Sequence, residues 1–217
     1  QALAKGAKMG GAKIFENMCV CEIETKNSGT SGARQVSGVK VEVPSPGSGE
    51  ASEIKTISAK IVVNCAGLWG HRVGKMAGVN VPLHAAEHFY IVTENIGLPS
   101  TLPVLRDPSS WIYAKEDAGK MLVGCFEPKS KPRPLNTIPE DFSFGQFEED
   151  WEHFEPAMLN AMHRIPKLED AGIHTFFNGP ESFTPDDRYI LGEAPELKNF
   201  YVAAGLNSIG IQSAGGA

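Results

Sequence analysis

The chain of 217 residues is 41% hydrophobic and 21% charged, which is material for one or two globular domains with a core of their own. A net charge of −6 and the lack of any long basic run argue against a nucleic-acid partner. No apolar stretch approaches the roughly 18 residues of a membrane span. The four cysteines include no second close pair to complete a zinc site, so no metal is expected.

Residues 1–11 read as the last turns of a helix closed by Gly10-Gly11. Residues 12–15 are a short strand candidate. Residues 18–25 and 36–43 alternate as strands, with Val39, Val41 and Val43 on one face. The turn cluster Asn27-Ser28-Gly29-Thr30-Ser31-Gly32 between them makes a hairpin. Cys19, Cys21, Cys65 and Cys125 are expected as reduced, mostly buried thiols. Residues 44–53, rich in Pro, Ser and Gly, read as a flexible insertion. Residues 54–57 resume the strand and feed the run at 60–64, which fits a strand buried on both faces of a parallel sheet. That run ends in Cys65-Ala66-Gly67, small residues that let the backbone pass close to something bulky. Trp69, Val73, Met76 and Ala77 then share one helix face, and Gly78 stands at the C-cap. Strand, glycine turn and helix is how open α/β sheets present a dinucleotide. An ordinary turn without a ligand satisfies the same residues.

The character changes after residue 82. Residues 83–94 form a long strand, with His84, Ala86, His88, Tyr90 and Val92 on one face and Glu87, Phe89 and Ile91 on the other. Residues 111–115 and 120–126 make a hairpin across Glu116-Asp117-Ala118-Gly119. Residues 129–139 read as a surface loop. Phe147, Trp151, Phe154, Met158 and Met162 recur at steps of three and four, an amphipathic helix that Pro166 stops. Strands are expected at 173–178, 189–192 and 199–203. The last enters Gly205-Leu206-Asn207-Ser208-Ile209-Gly210-Ile211, a second strand-to-helix turn whose N–H groups suit an anionic or acceptor-rich ligand.

Five strings carry a resemblance: Val63-Asn64-Cys65-Ala66-Gly67-Leu68-Trp69, Glu87-His88-Phe89-Tyr90-Ile91-Val92-Thr93, Gly179-Pro180-Glu181-Ser182-Phe183-Thr184-Pro185-Asp186, Leu191-Gly192-Glu193-Ala194-Pro195-Glu196-Leu197, and Gly205-Leu206-Asn207-Ser208-Ile209-Gly210. Together they resemble the FAD-dependent amine oxidoreductases of the D-amino-acid-oxidase superfamily. The branch is that of sarcosine and dimethylglycine dehydrogenases, which also holds the regulatory subunit of pyruvate dehydrogenase phosphatase. The resemblance covers essentially the whole chain. It implies a mixed α/β (α+β) fold, a partial Rossmann-like FAD-binding domain with an inserted antiparallel-sheet substrate subdomain. Residues 1–81 and 179–217 would belong to the first and 82–178 to the second. It also implies a longer parent. The family's Gly-x-Gly-x-x-Gly strand and flavin-tethering histidine are expected upstream of Gln1, and a tetrahydrofolate-binding half beyond Ala217. Alone, the chain should then bind FAD poorly or not at all.

By that resemblance the strand around Val20 packs beside the adenine, Ala66 and Gly67 admit the ADP part, and Trp69 covers nearby surface. Asn207, Ser208, Ile209, Gly210 and Ile211 would lie against the polar end of the flavin ring, where a helix N-terminus favours negative charge on the reduced cofactor. His88 and Tyr113 match positions that line the substrate side in dimethylglycine-oxidising relatives. An N-methyl amine must shed its ammonium proton before a hydride leaves the methyl group, and a histidine or a hydrogen-bonding tyrosine suits that step. A substrate carboxylate wants a cation, for which the sequence offers Lys115 and Arg106. The implied activity is oxidation of the N-methyl group of a methylated glycine by hydride transfer to flavin, in the mitochondrial matrix. An electron-acceptor protein would be its partner. The other reading is a regulatory subunit that keeps the flavoprotein fold and binds the phosphatase catalytic subunit. Residues 150–156 and 87–90 resemble that relative as much.

Overall fold

The computed structural model describes residues 1–27, 33–44 and 52–217. The turn expected at 28–32 and the insertion at 45–51 lie outside the described residues. The chain divides into two compact units. One comprises Gln1–Pro82 and Tyr189–Ala204 (with Ala217), the other Leu83–Arg188 and Gly205–Gly216.

In the first unit, α1 (Ala2–Met9) ends at Gly10 as expected and buries none of its residues. Residues 12–15 do not form the expected strand; Ile14 and Phe15 are exposed there and pair with no strand among the described residues. β1 (Cys19–Asn27), β2 (Arg34–Val43) and β3 (Glu53–Ser58) form an antiparallel sheet in that order. The expectation of mostly buried thiols fails: Cys19, Cys21 and Cys65 are exposed and Cys125 is buried. Cys19 and Cys21 lie on β1, whose register shifts between Val20 and Glu22, and their sulfurs donate to the carbonyls of Val20 and Lys40.

β4 (Val62–Asn64) leads through a 3-10 turn at Gly67–Trp69 into α2 (Gly70–Ala77). β4 runs parallel to β12 (Phe200–Ala204), which pairs antiparallel with β11 (Ile190–Glu193). The parallel pairing agrees with the reading of this run, but burial on both faces does not. β4 lies at the edge of its three-stranded sheet, and Ile61 and Val63 stand 56% and 55% exposed. Asn64 is the buried residue of the strand. Its Nδ2 donates to Gly70 O at 2.7 Å and its Oδ1 accepts from Ala66 N at 3.2 Å, so one side chain clamps the strand end to the turn. α2 closes at Gly78, where Arg34 Nη2 donates to Ala77 O at 3.1 Å.

The second unit is an antiparallel sheet with one covering helix. β5 (His84–Thr93), β6 (Leu105–Asp107), β7 (Ile112–Asp117), β8 (Lys120–Cys125), β9 (Pro132–Arg133) and β10 (Ile173–Phe183) pair in the order β10-β5-β8-β7-β6, with β9 beside β5. α3 (Trp151–Arg164) starts at Asp150, whose carboxylate accepts from His153 N. The alternation read in β5 sends Phe89 and Ile91 into a core with Ile112, Val123, Phe154, Ala161 and Phe176. Phe147 precedes α3 and packs on Phe142 instead of joining the helical stripe.

β10 runs five residues past its expected end, because every residue from Gly179 to Phe183 pairs with β5. As the edge strand of this sheet it accommodates Pro180, which lacks a donor only on an open side. The unit therefore runs from Leu83 through Arg188 and also takes in 205–216, whereas the sequence reading places the change at 178. α4 (Gly210–Ser213) follows the turn at 205–209.

Candidate functional site

The face of β5 turned away from α3 carries His88 and Tyr90. Register extends it into a row across five strands. Phe177 stands opposite Tyr90, Tyr90 opposite Gly124, Gly124 opposite Tyr113, and Tyr113 opposite Arg106. Gly124 is required in this row, since a Cβ there would collide with Cζ and the hydroxyl of Tyr113. Tyr90 stacks on Phe177 with centroids 4.7 Å apart. Phe126, just past β8, is the ring that the others share. It lies 5.0 Å from His88 and 5.7 Å from Tyr113, and the Arg106 guanidinium sits 4.9 Å above it. The structure thus brings the two catalytic candidates together. It places Arg106 with them, whereas Lys115 is exposed on β7.

Burial holds the His88 imidazole below its ordinary pKa of 6.5, against the pull of Glu181 and Glu127. Burial also pushes the Tyr113 phenol up to about 12, helped by Cys125, Tyr90, Glu181 and Glu127. At neutral pH the pair is therefore a free imidazole base and an intact phenol donor.

In the same unit, Asn207 is buried and pins the strap at 205–211. Its Oδ1 accepts from Thr184 N at 2.9 Å and its Nδ2 donates to Thr184 Oγ1 at 3.1 Å. Asn207 and Ser208 both take positive φ, 47° and 68°, a strained pair that these bonds hold in place. Ser208 Oγ donates to Glu181 Oε2 at 3.0 Å. Ile209 and Gly210 are half-buried, and Ile211 is almost fully exposed.

In the first unit, Ala66 and Trp69 are half-buried at the end of β4, and Val20 is half-buried opposite Val41. Gly67 has φ +54°, and a Cβ built there would meet nothing within 4 Å. In the first turn of α2, His71 Nδ1 is buried with no hydrogen-bond partner, and burial, then Lys75 and Arg72, lowers its pKa. Open backbone at the carboxyl end of a strand and an unpaired buried nitrogen are features that a dinucleotide can use.

Gly124, Phe126 and Glu181 are the functional candidates that sequence reasoning missed. Only Gly124 left a signal, a glycine inside an alternating strand, which marks a close approach. Beneath the site, Glu87 is buried on the core face. It accepts from Asn178 Nδ2 at 2.7 Å and meets Arg133 Nη2 at 2.6 Å, which ties β5 to β10 and β9. A separate cavity of about 400 Å³ lies toward α3, lined by Trp111, Glu127, Lys129, His153 and Pro156 among others. His153 Nε2 lies 3.2 Å from Glu127 Oε1 in its wall.

The chain combines a mixed α/β fold, a glycine turn after a parallel strand and an antiparallel sheet bearing a histidine–tyrosine pair. The family model described as DAO, FAD dependent oxidoreductase, matches residues 1–217, and the chain belongs to that family. It is 39% identical over 214 residues to human sarcosine dehydrogenase, mitochondrial, covering 99% of this chain and 22% of that protein. It is 34% identical over 221 residues to the mouse pyruvate dehydrogenase phosphatase regulatory subunit, mitochondrial, covering 100% and 23%. Among solved structures, L-proline dehydrogenase from P. horikoshii superposes with a TM-score of 0.74 at 22% identity, over 98% of this chain and 50% of that one, which bears on the fold. The chain thus spans between a fifth and a quarter of the length of these curated relatives.

Proposed function

We propose that the parent protein oxidises the N-methyl group of a methylated glycine to an iminium, by hydride transfer to FAD. The convergence of His88 and Tyr113 on the Phe126 ring is the observation that carries this reading. Neutral His88 accepts the ammonium proton of the substrate. The nitrogen lone pair so freed forms the C=N bond as a methyl C–H bond breaks. Bound FAD supplies the acceptor for the hydrogen and two electrons that leave. Tyr113 donates a hydrogen bond that orients the substrate, and Arg106 is the cation for its carboxylate. We assign the FAD-binding role to residues 1–81 and 179–217, apart from the end of β10 that pairs with the His88 strand, and the substrate role to 82–178. Val20, Ala66, Gly67 and Trp69 would serve the ADP part, and Asn207, Ser208, Ile209, Gly210 and Ile211 the flavin end. A mitochondrial matrix location, an electron-acceptor protein and a tetrahydrofolate-binding half are the further parts of this reading.

The alternative is a regulatory subunit without amine oxidation, favoured by the identity to the mouse phosphatase subunit over the whole chain. The anaerobic visible spectrum of the full-length, FAD-loaded parent separates the two. On adding sarcosine or dimethylglycine, the flavin band at about 450 nm should bleach. A bound flavin that ignores both amines favours the regulatory reading instead.

A further inference from the structure

The His88–Tyr113 site carries an anion that its proton chemistry does not use. Glu181 on β10 is half-buried, and Ser208 of the strap holds one of its carboxylate oxygens at 3.0 Å. It stands opposite Ala86 of β5, two residues along the same strand face from His88, which in turn is opposite Gly179. The Phe177 ring lies over Gly179, within about 3 Å of where a Cβ would stand, so an aromatic face lies beside the strand segment that carries the carboxylate. The rings of Phe126, Tyr113, Tyr90 and Phe177 line the same face. A carboxylate beside an aromatic floor is the combination that recognises an alkylated ammonium group. Arg106, the positive group of the site, lies on β6 at the other edge of the sheet.

We propose that Glu181 is the specificity residue of this site and selects substrates that carry a positively charged, N-methylated nitrogen. The proposal rests on the amine-oxidoreductase reading above and deepens it. The nitrogen is cationic on arrival, neutral once His88 has its proton, and cationic again as the iminium. A fixed anion thus favours both entry and the charge that develops as the C–H bond breaks. Ser208 keeps the carboxylate from swinging away, which makes it a positioning residue.

The test uses the full-length, FAD-loaded parent and two inert probes of equal shape, trimethylglycine and 3,3-dimethylbutanoate. They differ in the charge of the atom that bears three methyl groups. Calorimetric titration should show wild type preferring trimethylglycine by about tenfold or more. Glu181→Gln should remove most of that preference while binding 3,3-dimethylbutanoate within about twofold of wild type, and Glu181→Asp should restore part of it. Ser208→Ala should narrow the preference by a smaller factor. Should Glu181→Gln fail to fold, the Glu181→Asp and Ser208→Ala titrations decide the matter. A preference unchanged in the variants, in a parent whose flavin sarcosine bleaches, overturns the proposal and leaves the enzyme reading standing. A wild-type parent that binds neither probe and is not bleached overturns both.

Discussion

The two units bury their sheets differently. In the second, α3 covers one face of β5, β7 and β8, and Phe89, Ile91, Val123 and Phe154 reach zero to trace exposure. In the first, β3 is exposed along its whole length, and Ile54, Ile57, Ile61 and Val63 face water. A unit with its own core can hold His88, Tyr113 and Phe126 in fixed relation, because the strands that carry them are locked from behind. A unit with open apolar faces presents surface that a protein the length of the relatives has material to cover. The comparison teaches that the proposed chemistry sits on the unit whose sheet is backed by a buried core.

Substitutions can break or sharpen this contrast. Phe89→Ala should cost the 217-residue chain about 3–5 kcal/mol in urea unfolding, since the ring is fully buried against Phe176 and His153. Gly124→Ala should displace the Tyr113 ring. The expected result is flavin reduction in the parent slowed roughly 10- to 100-fold with the core intact, and an unchanged rate would remove Tyr113 from the site. Asn207→Ala gives up the bonds to Thr184 and keeps a positive φ, so thermal unfolding should report a loss of about 1–2 kcal/mol. Val63→Ala, on the open face of β4, should stay within about 0.5 kcal/mol in the isolated chain. A Val63→Ala cost equal to that of Phe89→Ala would abolish the distinction between the units.

The alternation in β5 was legible, and it separated His88 and Tyr90 from Phe89 and Ile91 correctly because side-chain direction is a property of one strand. That Tyr113 lies over Gly124, and that Phe126 is shared with His88, was not legible. Those facts depend on the register among β5, β8 and β7, which no local pattern encodes. Gly179-Pro180 looked like the end of a strand, yet the edge position of β10 lets the ladder continue to Phe183. Apolarity at Ile61 and Val63 reported a strand correctly but said nothing of what covers it. The helix and C-cap at Gly78 were readable, since both are set by neighbours in sequence. Glu181 escaped because its meaning comes from Ser208 and His88, brought beside it by the fold.

The most direct test of the account is the pH dependence of anaerobic flavin reduction by sarcosine in the full-length parent, for wild type and His88→Gln. Burial disfavours the imidazolium, so the neutral base persists below the ordinary 6.5. Glu181 and Glu127 are the charged groups that pull the other way. The wild-type rate should therefore fall on the acid side with a midpoint below 6.5. His88→Gln should lose that limb and run about 10²- to 10⁴-fold slower. A variant that matches wild type in both rate and acid limb would contradict the assignment of His88 as the base.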